Sequence, residues 1–270
     1  MQNNYEAPIG VFDSGVGGLT VVKSIAKLLP HENIIYFGDI ARLPYGTKSN
    51  TTIKKFATQT ASFLLKQKVK AIVIACNTIS AIAKDEVISL ANNIPVLDVI
   101  TAGSEDCCRN TQIKNVGIIA TPATINSNAY LNSILQLNNK IKVYQAACSL
   151  FVPIIEEGLL NHQGLKLFAN DYLQPLLAQK IDGLILGCTH YPLIQPIIQE
   201  IIGDKIKIID PAISTALNLS HVLSQKQLLN STTKPPSYQF YVTELTKSFL
   251  NISELILQQK INQPTLVNIE

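Results

Sequence analysis

No apolar run in this 270-residue chain approaches the roughly 18 residues of a membrane-spanning helix. The opening Met-Gln-Asn-Asn-Tyr-Glu lacks the charged and apolar regions of a signal peptide, so the expectation is a cytoplasmic protein with no membrane contact. A basic block is also missing. The 22 Lys and Arg stand against 19 Asp and Glu, and the resulting +3 is spread over single lysines, which argues against nucleic acid as a main partner. The five cysteines are odd in number and contain no C-x-x-C pair. In a reducing compartment that excludes a disulfide framework and leaves free thiols.

What is present is a chain with 47% hydrophobic residues, enough for a large core in one large or two modest domains. Two cysteines stand out by position. Cys76 in A-I-V-I-A-C-N-T and Cys188 in L-I-L-G-C-T-H-Y-P each end an apolar run and precede small, polar or turn-forming residues. The runs align without a gap, Lys68 to Cys76 over Lys180 to Cys188, at an offset of 188 − 76 = 112 residues. Upstream, Ile9-Gly-Val-Phe-Asp-Ser14 echoes Val116-Gly-Ile-Ile-Ala-Thr121 at an offset of 107. Two related half-units facing each other would bring both thiols to one cleft from opposite sides. Inverting a stereocentre requires that arrangement, an acid and a base on opposite faces of one carbon. Cys107, Cys108 and Cys148 read instead as packing residues.

Short β-rich runs are expected at Ile9–Phe12, Asn33–Phe37, Ala71–Ala75, Val96–Val99, Val116–Ala120, Lys142–Ala146, Gly183–Leu186, Lys205–Ile209 and Tyr238–Val242. Helical patterns lie between them, at Leu19–Leu29, Thr51–Lys66, Thr78–Ala91, Ile125–Leu137, Leu165–Leu177 and Ile194–Ile202. The alternation predicts an α/β fold with mostly parallel, doubly covered sheets. Asn93-Ile-Pro95 and Asp210-Pro211 are candidate crossings between half-units, and 229–237 reads as a surface loop.

Ligands of open parallel sheets bind beyond the carboxyl ends of the strands, which points to Asp13, Ser14, Cys76, Asn77, Thr121, Cys188 and Thr189. Asp13-Ser-Gly-Val-Gly-Gly18 follows a strand and opens a helix, so its amides could hold an anion; the carboxylate at its mouth would repel phosphate and welcome an ammonium group. Its plain alternative is a capped helix with a tight turn. The loop from Tyr36 to Ser49 carries Tyr45, suited to shield a site, and Gly46, whose amide can donate to a carboxylate; alternatively Tyr45 packs while Arg42 and Lys48 are solvated. Helix-starting amides and the Thr78 or Thr189 hydroxyls are expected to lower the two thiol pKa values toward neutrality. His190 could support Cys188, or be a packing residue. A zinc site of Cys76, Cys188 and His190 lacks a fourth ligand. Glu156 and Glu157 read as an orienting carboxylate for His190 or a solvated helix-end pair.

Taken in order, G-V-F-D-S-G-V-G-G-L-T-V, Y-F-G-D-I-A-R-L-P-Y-G-T-K-S, I-A-C-N-T, T-P-A-T-I-N-S, V-P-I-I-E-E-G and L-G-C-T-H-Y-P-L-I give the chain a resemblance to the bacterial glutamate racemases, within the cofactor-independent aspartate/glutamate racemase family. The resemblance covers nearly the whole chain. It implies two pseudo-symmetric α/β domains, residues 1–97 plus 208–270 and residues 98–207, with the active site between them. It implies Cys76 and Cys188 as proton carriers, assisted by Asp13 and His190 with Glu156 behind His190, and no metal or pyridoxal cofactor. Asp13, Ser14, Tyr45, Gly46, Asn77, Thr78, Thr121, Thr189 and His190 are similar to the family's substrate contacts. The implied reaction interconverts L- and D-glutamate, and D-glutamate feeds peptidoglycan synthesis and so the cell wall. Ile40, where Thr is expected, and residues 241–247 depart from the family pattern. Rival readings are a racemase or decarboxylase of aspartate or another small acid, and a two-domain amino-acid-binding module without chemistry. Oligomeric state is left open, a homodimer being one option.

Overall fold

The apolar runs become the strands of two parallel sheets in a computed structural model that describes residues 5–261 and 263–269. Residues 1–4, the start of the segment without a signal-peptide pattern, lie outside the described residues. The chain runs β1 (Ile9–Asp13), α1 (Leu19–Leu28), β2 (Ile34–Gly38), α2 (Asn50–Lys66), β3 (Ala71–Ile74), α3 (Asn77–Ala91) and β4 (Val96–Asp98). It passes through α4 (Val99–Arg109) to β5 (Asn115–Ala120), α5 (Pro122–Asn126), α6 (Ala129–Leu137), β6 (Lys142–Ala147), α7 (Phe151–Glu156), α8 (Gln163–Leu177), β7 (Gly183–Gly187), α9 (Gln195–Ile202) and β8 (Lys207–Ile209). It returns through α10 (Pro211–Gln225), β9 (Tyr238–Val242), α11 (Lys247–Leu257) and β10 (Thr265–Leu266).

The first sheet has the order β10-β9-β2-β1-β3-β4 and the second β6-β5-β7-β8. The four-strand order is therefore the same in both, with β5 in the place of β1 and β7 in the place of β3. Register repeats as well: Phe12 pairs with Ile74 and Ile119 with Leu186, positions related by the 107 and 112 offsets of the sequence echoes. A duplicated fold explains why those two offsets coexist.

Both faces of each sheet are covered, which is why its inner strands carry continuous rather than alternating apolar residues. Ile9, Val11, Tyr36 and Val73 pack against α1, α10 and α11, while Phe12, Phe37, Ile72 and Ile74 pack against α2 and α3. In the second sheet Ile119, Leu184 and Leu186 face α7, α8 and α9, and Val116, Ile118 and Ile185 face α4 and α6. Cys107 and Cys148 are buried and Cys108 is half-buried, consistent with packing.

The chain changes sheets twice. β4 runs directly into α4, capped by Asp98 through the Thr101 amide, and β8 runs into α10, capped by Asp210 through the Ala212 amide. The first crossing thus follows β4 rather than the Asn93-Ile-Pro95 turn that leads into it. One expected helix, Ile125–Leu137, is broken in two because Asn128 adopts a left-handed conformation at φ 55°. Asn tolerates that region better than most residues. The strand β10 and the extent of α10 were not anticipated.

Candidate active site

The carboxyl ends of β1, β3, β5 and β7 meet at one cleft of about 400 Å³. Its lining includes Ser14, Tyr45, Gly46, Cys76, Asn77, Thr78, Thr121, Glu156, Cys188, Thr189 and His190. All the sequence-flagged site residues except Asp13 are therefore brought together at its surface. Asp13 lies beneath it, 1% exposed. A larger groove of about 620 Å³ between α1, α10 and α11 contains none of them, so the chemistry selects the smaller cleft.

Cys76 is the residue before α3, at the end of β3. Its Sγ lies 3.5 Å from Ser14 Oγ. The helix start was expected to lower this thiol pKa, but burial pushes it well up, reinforced by the nearby Asp13 charge, and the hydrogen bonds from Ser14 and the Ile79 backbone only partly oppose this. Loss of water outweighs a helix terminus here.

Asp13 explains the glycine-rich turn. Its Oδ2 accepts the Gly18 amide at 2.6 Å and the Thr189 hydroxyl at 3.4 Å, so the protein's own carboxylate occupies the start of α1 where an external anion was considered. Oδ1 is buried without a hydrogen-bond partner among the described residues.

Cys188 has a different neighbour. Its Sγ is 3.7 Å from His190 Nδ1, and His190 Nε2 is 3.0 Å from Glu156 Oε1. Burial acts to lower the His190 pKa, yet the hydrogen bonds to Cys188 and Glu156 prevail and lift it to about 10. The Glu156 side chain is thus held against His190 rather than freely solvated.

Three residues at the site are not among those that the sequence motifs single out. Asp39 accepts hydrogen bonds from Arg42 Nε and the Tyr45 hydroxyl, fixing the loop that carries Gly46; Arg42 also reaches Gln59 and lies over the Phe56 ring. Arg42 is therefore engaged rather than solvated, and Tyr45 both packs and lines the cleft. Thr124 joins Thr78 and Thr121 in a hydroxyl cluster with separations of 3.1–3.4 Å. Tyr130 donates to Asn77 Oδ1 at 2.7 Å. Asp39 had a detectable cue, since it follows β2 as Ser14 follows β1. Among the described residues no group of three or more His, Cys, Asp or Glu is arranged to hold a metal ion.

Comparison with known proteins agrees with this architecture. The sequence pattern of the family described as Asp/Glu/Hydantoin racemase matches residues 9–218. The glutamate racemase of Syntrophus aciditrophicus is 48% identical over 254 residues, 94% of each chain. That of Neisseria meningitidis serogroup A is 47% identical, covering 98% of this chain and 97% of its own. The crystal structure of glutamate racemase from Francisella tularensis in complex with D-glutamate superposes with a TM-score of 0.93 at 51% identity, over 98% of this chain and 99% of that one. The chain belongs to the Asp/Glu/hydantoin racemase family.

Proposed function

We propose that this enzyme interconverts L- and D-glutamate without a cofactor, by proton transfer between Cys76, Cys188 and the substrate α-carbon. The observation that carries the reading is one sulfur after each of two equivalent strands, β3 and β7, both opening into the same cleft. On a division into residues 1–97 plus 208–270 and residues 98–207, each half contributes one thiol. The D-glutamate complex of the Francisella relative supports glutamate as the substrate.

One sulfur removes the α-proton as a thiolate while the other donates a proton to the opposite face, and the reverse reaction exchanges their roles. The surroundings suit an initial division of labour. His190, its pKa lifted by Cys188 and Glu156, lies against the Cys188 sulfur, whereas burial and the Asp13 charge favour the protonated form of the Cys76 thiol. Asp13 acts on Cys76 from below. The α-proton is only weakly acidic because the adjacent carboxylate is already anionic. The carboxamide of Asn77 and the hydroxyls of Thr78, Thr121 and Thr189 donate to the charge that grows there, within a cleft shielded by Tyr45. Ser14 and the Gly46 amide meet the side-chain carboxylate. Each 1.36 kcal/mol of such stabilisation is worth about tenfold in rate, so several contacts must act together. Production of D-glutamate in the cytoplasm would supply peptidoglycan synthesis.

Purified protein given L-glutamate or L-aspartate with no added cofactor, and followed by chiral chromatography, tests the reading. Racemisation of glutamate is expected, with Cys76→Ala and Cys188→Ala each losing about 10³-fold or more in rate while unfolding at a near wild-type temperature. Near wild-type racemisation by either variant would overturn the two-thiol scheme.

A further inference from the structure

Tyr130 lies on α6, in the half that carries Cys188, but its hydroxyl reaches the other half. There it donates to Asn77 Oδ1 at 2.7 Å, immediately after Cys76. The ring is 1% exposed and held from two sides. A Cβ at Gly187, the residue before Cys188, would stand 3.2 Å from Tyr130 Cε2, and one at Gly103 on α4 would stand 3.5 Å from Cε1. One side chain thus touches the strand end that precedes one thiol and the residue that follows the other.

The contact also orients the Asn77 carboxamide. The phenol donates to its oxygen, and no hydrogen bond engages its nitrogen among the described residues. We infer that Tyr130 is a positioning residue: it locks Asn77 with its NH₂ group presented to the substrate and keeps the Cys76 and Cys188 strand ends in mutual register. Burial first, then the charges of Asp98, Asp210 and Cys188, raise the Tyr130 pKa well above its ordinary value, so the phenol stays a donor throughout the working pH range. An Asn free to turn would offer its oxygen to the substrate carboxylate for part of the time and repel it.

This inference rests on the racemase reading and on Asn77 as a substrate contact, and a double-mutant cycle separates the two. Tyr130→Phe keeps the ring between Gly103 and Gly187 and removes only the hydroxyl, so its unfolding temperature reports whether packing survives. The expected loss in kcat/KM for Tyr130→Phe is about tenfold in both directions, and for Asn77→Ala about a hundredfold. Adding Tyr130→Phe to Asn77→Ala should then cost less than about twofold, because the residue it acts through is gone. Wild-type racemisation tests the reaction independently. An equal loss from Tyr130→Phe with and without Asn77, or no loss in the wild-type background, overturns the positioning role.

Discussion

Gly17 is a glycine because another half of the molecule needs its space. A Cβ there would come within 2.4 Å of Thr189 Oγ1 and 2.7 Å of His190 Nδ1. Its φ is not in the left-handed region, so conformational freedom is not the reason. The turn before α1 is instead the floor on which the Cys188-Thr189-His190 turn rests, and Thr20 Oγ1 donates to the Thr189 carbonyl at 3.2 Å to hold it there. Gly17→Ala must displace His190 from Cys188 or from Glu156. A misplacement near 1 Å costs about a hundredfold in rate, so kcat should fall by about that much in steady-state assays while the far-ultraviolet dichroism is unchanged. Gly17→Ala with wild-type kcat would mean that His190 geometry is irrelevant to turnover. The sequence displays the glycines but not their partners, because Thr189 and His190 are brought to them by the duplicated fold. For the same reason Asp13, Cys76 and Cys188 were legible from their places after apolar runs, whereas the rise in the Cys76 pKa was not, since it comes from burial by distant segments.

At the scale of elements, the strands were legible because burial on both faces makes their apolar runs continuous, and the echo at two offsets foreshadowed their common order. Pattern failed where burial is slight. Both residues of β10 are exposed, and the α5–α6 break turns on the backbone of Asn128 alone. It also failed for pairs joined only in space. At the amino ends of the first-sheet strands, away from the cleft, Lys70 and Glu32 form an ion pair with side chains each 2% exposed. Lys70 Nζ also donates to the carbonyls of Tyr5 and Leu228 at 2.6 and 2.8 Å, and the Asn230 amide donates to Glu32 Oε1. Burial lowers the Lys70 pKa, partly opposed by the hydrogen bond and charge of Glu32. Lys70→Met leaves Glu32 buried and uncompensated, at a cost of about 3–5 kcal/mol. For a chain of this size that is a drop of about 10 °C in Tm by calorimetry. Because the pair is remote from the thiols, kcat at 25 °C should stay within about twofold. A Tm unchanged by the substitution would show the pair to be dispensable.

The whole molecule combines a symmetric scaffold with asymmetric proton circuits. From Cys188 a line of groups runs through His190 to Glu156, whose side chain is 29% exposed. Glu156 is anchored by Ser248 of α11, which donates to its backbone carbonyl at 2.5 Å, so a segment returning from the first half completes the second half's circuit. From Cys76 the side-chain contacts lead to Ser14 and to the Asp13 charge, 9% and 1% exposed. On the proposed two-thiol scheme, a proton taken by Cys188 has a hydrogen-bonded relay leading to a partly exposed carboxylate, and one taken by Cys76 has no such relay among the described residues. In deuterated water, Cys76→Ala, which keeps Cys188, should exchange the α-proton of one glutamate stereoisomer at least about tenfold faster than Cys188→Ala exchanges that of the other. Glu156→Gln should remove most of that difference and also move the pH profile. His190, with its pKa at about 10, is charged through neutrality and loses its proton as pH rises through that value; its stabilisation of the fold is complete below about 6.5 and lost along the same rise. Removing one of the two contacts that raise it leaves burial less opposed, so the alkaline limb of kcat/KM should fall by about one unit with the acid limb unmoved. Equal exchange by the two cysteine variants, measured by proton NMR, would mean that both thiols meet solvent alike and that the His190–Glu156 pair only orients.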